Sequence, residues 1–133
     1  MLGRLNHVAI AVTDLKSATN TYRDILGAKV GEPLDQPEHG VTVVFIELPN
    51  TKVELITPLG ENSPIFNFLN KNKNGGIHHI CYEVKNLELS INILMKNNYK
   101  IIGDNPKIGA HGKPVIFLHP SDFDGTLIEL QEE

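Results

Sequence analysis

The chain has 133 residues, 41% of them hydrophobic and 21% charged, which suits one globular domain. Twelve basic against sixteen acidic side chains leave a net charge of −4, arguing against a nucleic-acid surface and requiring a local basic patch for any anionic ligand. Cys81 is the only cysteine, so no internal disulfide can form. A reducing compartment is expected, the cytoplasm in a bacterium or the mitochondrial matrix for a mature eukaryotic form. No apolar run approaches the ~20 residues needed to cross a bilayer, and residues 1–6 lack a signal-peptide core or an Arg/Ser-rich presequence, so no membrane partner is expected.

Residues 5–12 form a β-rich run containing His7. Asp14 suits a helix N-cap, and Leu15, Ala18, Tyr22, Ile25 and Leu26 then fall on one helical stripe that Gly27 ends. Strands are predicted over 29–31, 41–48 and 52–57, separated by an irregular loop at 33–40 and a Pro49-Asn50 turn. Residues 63–72, with Ile65, Phe66 and Leu69, read as a short linking helix. The opening pattern then returns: a strand over 77–84, Asn86 as cap, and a helix carrying Leu87, Ile91, Leu94 and Met95 that stops at Asn97-Asn98. Strands over 100–102, 114–119 and 126–131 follow, with an irregular loop at 104–113.

The chain thus contains one pattern twice. His7, Val12, Asp14 and Leu15 match His79, Val84, Asn86 and Leu87 at a displacement of 72, and Glu54 matches Glu129 at 75, so the second copy is longer in its middle, most easily in 103–113. Two copies suit a pseudo-symmetric pair better than a solenoid. The prediction is an α+β fold of two β-α-β-β-β modules in one domain spanning 1–133, with module one over about 3–60, the linking helix over about 63–72 and module two over about 75–133.

The repeat places a histidine in the first strand of each half and a glutamate in the last. A lone strand histidine or glutamate is usually structural or solvated; recurrence of both types at equivalent positions is what points to ligation. His7, Glu54, His79 and Glu129 form a mixed nitrogen and oxygen set suited to a divalent Co, Mn, Ni or Zn ion. A thiolate site is not expected with Cys81 alone. Successive strand side chains face opposite ways, so only one of His78 and His79 reaches a shared cavity. The repeat selects His79 and makes His78 the structural counterpart of Asn6. His39, His111 and His119 fall in loops or turns and read as surface residues, although the 109–113 loop could close over a ligand. Dinucleotide, P-loop and nucleophile-elbow motifs are absent.

Leu5-Asn6-His7-Val8-Ala9-Ile10-Ala11-Val12, Gly75-Gly76-Ile77-His78-His79-Ile80, Ile108-Gly109-Ala110-His111-Gly112-Lys113-Pro114-Val115 and His119-Pro120 followed by Leu127-Ile128-Glu129-Leu130 resemble the methylmalonyl-CoA epimerases of the vicinal oxygen chelate (glyoxalase/bleomycin resistance/dioxygenase) superfamily. The resemblance implies a curved mixed sheet around a metal-binding cleft with helices on its outer face, and an isomerase acting on an acyl-CoA. It also implies His7, His79 and Glu129 as metal ligands, Glu54 as a ligand at a place where some relatives have Gln, Co²⁺ foremost among the ions, and a homodimer. In the implied chemistry the C2 proton leaves, a metal stabilises the charge that grows on oxygen, and a proton returns to the opposite face. Glu129 is the expected acid/base on one face. For the other, residues 41–45 carry no acid, leaving Glu38, Glu47, Glu54 or a water. Lys113 is the expected CoA-phosphate contact, with Lys71, Lys73 and Lys107 read as surface lysines. The alternatives are a glyoxalase-type enzyme on the same scaffold or a drug-binding protein of the bleomycin-resistance type. The latter is disfavoured by the lack of Trp and by 6% aromatic content, too little for an aromatic-lined cleft.

Overall fold

The chain runs β1 (Leu2–Ala11), α1 (Leu15–Asn20) continued by a π-helical turn (Thr21–Ile25), β2 (Lys29–Val30), β3 (Leu34–Gln36), β4 (Val41–Glu47), β5 (Lys52–Pro58), α2 (Ile65–Lys71), β6 (Gly76–Val84), α3 (Leu87–Lys96), β7 (Ile101–Ile108), β8 (Pro114–Leu118), a 3-10 turn (Pro120–Asp122) and β9 (Ile128–Glu132). The computed structural model describes residues 1–133. It is an α+β fold on a mixed sheet, with β6 and β9 parallel and the pairs of β4 and of β8 antiparallel. No helix is long and apolar enough to cross a membrane. Residues 8–78 form one compact unit, and residues 1–7 with 79–133 form another. The division falls inside β1, between His7 and Val8, rather than in the stretch that links the two copies of the repeat.

In the unit of residues 8–78 the strand order is β2-β4-β5-β1, with β3 also paired to β4. Alternation on β4 buries both of its faces. Val41, Val43 and Phe45 pack with Ala9, Ala11, Ile56 and the α2 residues Ile65, Phe68 and Leu69. Val44 and Ile46 pack with Leu55, Ile10 and the α1-side residues Leu15, Ala18 and Tyr22. The two helices therefore cover opposite faces of this sheet. Asp14 caps α1 as expected, its Oδ1 accepting from Ser17 N at 3.0 Å. The predicted stripe fails at its end: Ile25 and Leu26 are 78% and 64% exposed. From Thr21 the helix widens, Leu26 N bonding Thr21 O five residues back, and the extra residue per turn carries later side chains off the stripe.

The other unit has the order β1-β6-β9-β8-β7. Leu87, Ile91 and Leu94 of α3 pack on Val84, Ile116, Leu118, Ile128 and Leu130, while Met95 is 57% exposed. Asn86 caps this helix, its Oδ1 accepting from Leu89 N at 2.7 Å. Asn86→Ala should cost about 1 kcal/mol of stability, read as a fall of a few degrees in Tm. The predicted irregular loop at 104–113 is strand as far as Ile108, because β7 pairs with β8 at both ends despite a break between Ile102↔Phe117 and Lys107↔Val115. Four residues, 103–106, oppose Ile116 alone across that break. Phe45, opposite Glu54, and Phe117, opposite Glu129, are still 72 positions apart while the glutamates are 75 apart, so the second copy's three extra residues lie not in 103–113 but in the connection from β8 to β9, which carries the 3-10 turn.

The face of this sheet turned away from α3 differs in kind. By alternation it carries His79, Cys81 and Glu83 on β6, Val115 and Phe117 on β8, and Glu129 and Gln131 on β9. His79, Cys81, Glu129 and Gln131 are all buried. Buried polar groups must be paired, titrated or bound to something. That requirement locates the site.

Candidate metal centre

His7 on β1, His79 on β6 and Glu129 on β9 come together at this face. The Nε2 atoms of His7 and His79 are 3.2 Å apart. Glu129 Oε2 lies 3.2 Å from His7 Nε2 and 3.0 Å from His79 Nε2. The three residues are 2%, 6% and 5% exposed. Three donors each about 2.1 Å from one ion at right angles would stand about 3.0 Å apart, the spacing a divalent ion with imidazole and carboxylate ligands requires. Three lone-pair-bearing atoms converging under burial repel one another unless a cation or a proton lies among them. The donor set therefore fits a metal.

Burial pushes the Glu129 carboxyl up, but hydrogen bonds and charge from His7 and His79 outweigh it and hold the group at about 2. It is a carboxylate at neutral pH. The His79 ring is further fixed by an edge-on contact with Phe117, the centroids 5.3 Å apart. His7 Nδ1 lies 2.8 Å from Asn6 Oδ1, turning its Nε2 toward the other donors.

Cys81 is brought closer than its lack of a cysteine partner suggested: its ligand atom and those of His7 and Glu129 lie within 4.8 Å of one another. Two residues beyond His79 on the same strand face and paired to Glu129, it could be placed here from alternation and register alone. His111 also departs from its reading as a surface residue. It is half-buried, its ring centroid 5.7 Å from that of His7. It sits in a tight turn closed by Gly109 N to Lys113 O at 2.9 Å and Gly112 N to Gly109 O at 3.0 Å. A Cβ at Gly109 would lie 2.8 Å from Val115 Cγ1 and 3.6 Å from Glu129 Oε1, so glycine lets the turn approach the second carboxylate oxygen.

Residues 6–117 match the pattern of the Glyoxalase/Bleomycin resistance protein/Dioxygenase superfamily. The chain belongs to that superfamily. Within it, the chain is 61% identical over 133 residues to the ethylmalonyl-CoA/methylmalonyl-CoA epimerase of Cereibacter sphaeroides, covering 99% of both chains. It is 58% identical to the mitochondrial methylmalonyl-CoA epimerase of Homo sapiens, covering 98% of this chain and 74% of that one. A solved variant of Streptomyces coelicolor methylmalonyl-CoA epimerase in complex with 2-nitronate-propionyl-CoA is 27% identical, with a TM-score of 0.92 and coverage of 100% and 99%.

Glu54 lies on β5 in the unit of residues 8–78, 4% exposed and opposite Phe45. Glu38 and Glu47, the other acids considered for proton transfer, are exposed. Lys113 is exposed, its Nζ bonding Glu133 O at 3.0 Å. His78 packs edge-on to Phe68, centroids 5.0 Å apart, as a structural residue would. His119 is exposed and bonded to Ser121 Oγ at 2.8 Å, and His39 is half-buried.

Proposed function

We propose that the chain is an isomerase that epimerises methylmalonyl-CoA at C2, and that His7, His79 and Glu129 hold a divalent ion with Glu54 as fourth ligand. The observation that carries the substrate is 61% identity along 99% of both chains to an enzyme named for this reaction. The metal part leans on the three donor atoms spaced 3.0–3.2 Å apart. Two imidazoles with carboxylates suit Co²⁺, the ion proposed, and also admit Mn²⁺, Ni²⁺ or Zn²⁺. When bound, the ion supplies a Lewis acid for charge that develops on oxygen as the C2 proton leaves.

The chain's own residues supply the rest. Glu129, held ionised at about 2, is the base for one face of C2. Glu54, at the matching place of the first copy and the buried one of the three candidate acids, is proposed for the other face. Lys113 is proposed for a CoA phosphate, since its exposed ammonium adjoins the turn that carries His111. A homodimer would cover the edge that β7 leaves, with its exposed residues 102–108. A reducing compartment suits the lone buried thiol of Cys81.

The test is epimerisation in deuterated water with and without chelator, on methylmalonyl-CoA, ethylmalonyl-CoA and a glutathione hemithioacetal. Deuterium should enter C2 of the malonyl thioesters, chelation should abolish it, and added Co²⁺ should restore it. Turnover of the hemithioacetal alone would replace this reading with a glyoxalase-type one. Full exchange in metal-stripped protein would remove the ion from it.

A further inference from the structure

Behind His7 runs a chain of hydrogen bonds to the surface. Arg4 Nε donates to both carboxylate oxygens of Glu83 at 3.0 Å, Asn6 Nδ2 donates to Glu83 Oε1 at 2.8 Å, and Asn6 Oδ1 lies 2.8 Å from His7 Nδ1. The donors and acceptors along it are forced. The Arg4 guanidinium can only donate, and it faces Glu83 with both oxygens engaged, so Glu83 is a carboxylate that can only accept. The Asn6 amide must then turn its nitrogen to Glu83 and its oxygen to His7. An amide oxygen only accepts, so Nδ1 of His7 carries a proton and Nε2 is the nitrogen left for an ion or, without one, for a proton shared with Glu129. Nε2 is the atom aimed at His79 Nε2 and Glu129 Oε2.

We propose that Asn6, oriented by Glu83 and Arg4, is a positioning residue that keeps a proton on Nδ1 of His7 and so leaves Nε2 for the ion. The proposal rests on the metal reading above. Asn6 is 4% exposed, so water does not readily replace its oxygen. The repeat places the brace on one copy: at the equivalent place His78 packs against Phe68. The two histidines thus enter the centre from different surroundings, and Asn6 serves only the first.

The test measures Zn²⁺ and Co²⁺ affinity by competition with a chromophoric chelator, and reads the His7 tautomer in metal-free protein from long-range ¹H–¹⁵N correlations. The His7 signals are assigned by their loss in His7→Gln. Wild type should show a proton on Nδ1 of His7, with or without a second on Nε2. Asn6→Leu should bind metal about 10–100-fold more weakly, the usual effect of removing a ligand's outer hydrogen-bond partner, and should populate the Nε2–H form. The double swap Asn6→Asp with Glu83→Gln reverses the bond between these two residues but keeps an acceptor facing His7. It should regain wild-type affinity and tautomer, which a packing role for Asn6 would not predict. An Asn6→Leu protein in which either readout stays at the wild-type value overturns the proposal, as does a double swap as defective as Asn6→Leu. A wild-type protein that binds no divalent ion would instead remove the metal reading, and this inference with it.

Discussion

Glu129→Gln should slow deuterium exchange at C2 by roughly 10²–10⁴-fold, the range that a positioned acid/base group contributes. The substitution keeps the size of the side chain on β9 and one oxygen to face the histidine pair, but removes the negative charge and the proton acceptor. Fold and thermal stability should therefore change little beside the rate, while metal content measured on the same sample separates lost ligation from lost proton transfer. If the Glu129→Gln protein keeps its ion and loses exchange, the carboxylate acts on the proton directly. His7→Ala should abolish exchange by removing Nε2 from the triangle of donors, 3.2 Å from each partner atom. His78→Ala is the control, since its ring lies on Phe68, and it should leave exchange within a few-fold of wild type. Equal losses at His78 and His7 would mean that the histidine facing the centre has been misassigned.

The choice between His78 and His79 shows what was legible in the sequence. Period-two alternation says that one of two adjacent strand histidines faces a given side, and the repeat says which; packing agrees, with His79 beside Glu129 and His78 on Phe68. β7 was not legible beyond Ile102. Asp104, Asn105 and Pro106 are poor strand formers, and the strand exists there because β8 offers a partner on either side of the bulge. β3 arises the same way, from pairing with β4 rather than from its own composition. The exposure of Ile25 and Leu26 follows from a π turn that no residue in 15–26 signals. Within the site, recurrence reveals His7, His79 and Glu129 because each has a counterpart in the other copy. Asn6 stands in the first histidine motif, but Glu83, 77 residues away, belongs to none, and the two are joined only by the placement of β1 beside β6. Recurrence finds what the two copies share and misses what distinguishes them.

Leu130→Ala should have the largest effect on stability, about 2–5 kcal/mol. Leu130 is 1% exposed on the face of β9 that packs with Val84, Ile116, Leu118 and the α3 residues Leu87, Ile91 and Leu94. Removing its isobutyl group leaves a cavity between sheet and helix, and neighbours on two rigid elements close it only in part. The next residue back, Glu129, points to the opposite side, so one strand carries the core on one face and the donors on the other. Leu130→Ala should therefore lower the midpoint of denaturant unfolding while leaving exchange near wild type at temperatures where the protein stays folded. Glu129→Gln should do the reverse. If Leu130→Ala instead lost metal or exchange in proportion to its stability, the backbone of β9 would be moving with the core, and the separation of the two faces would fail as a description of how this sheet holds its site.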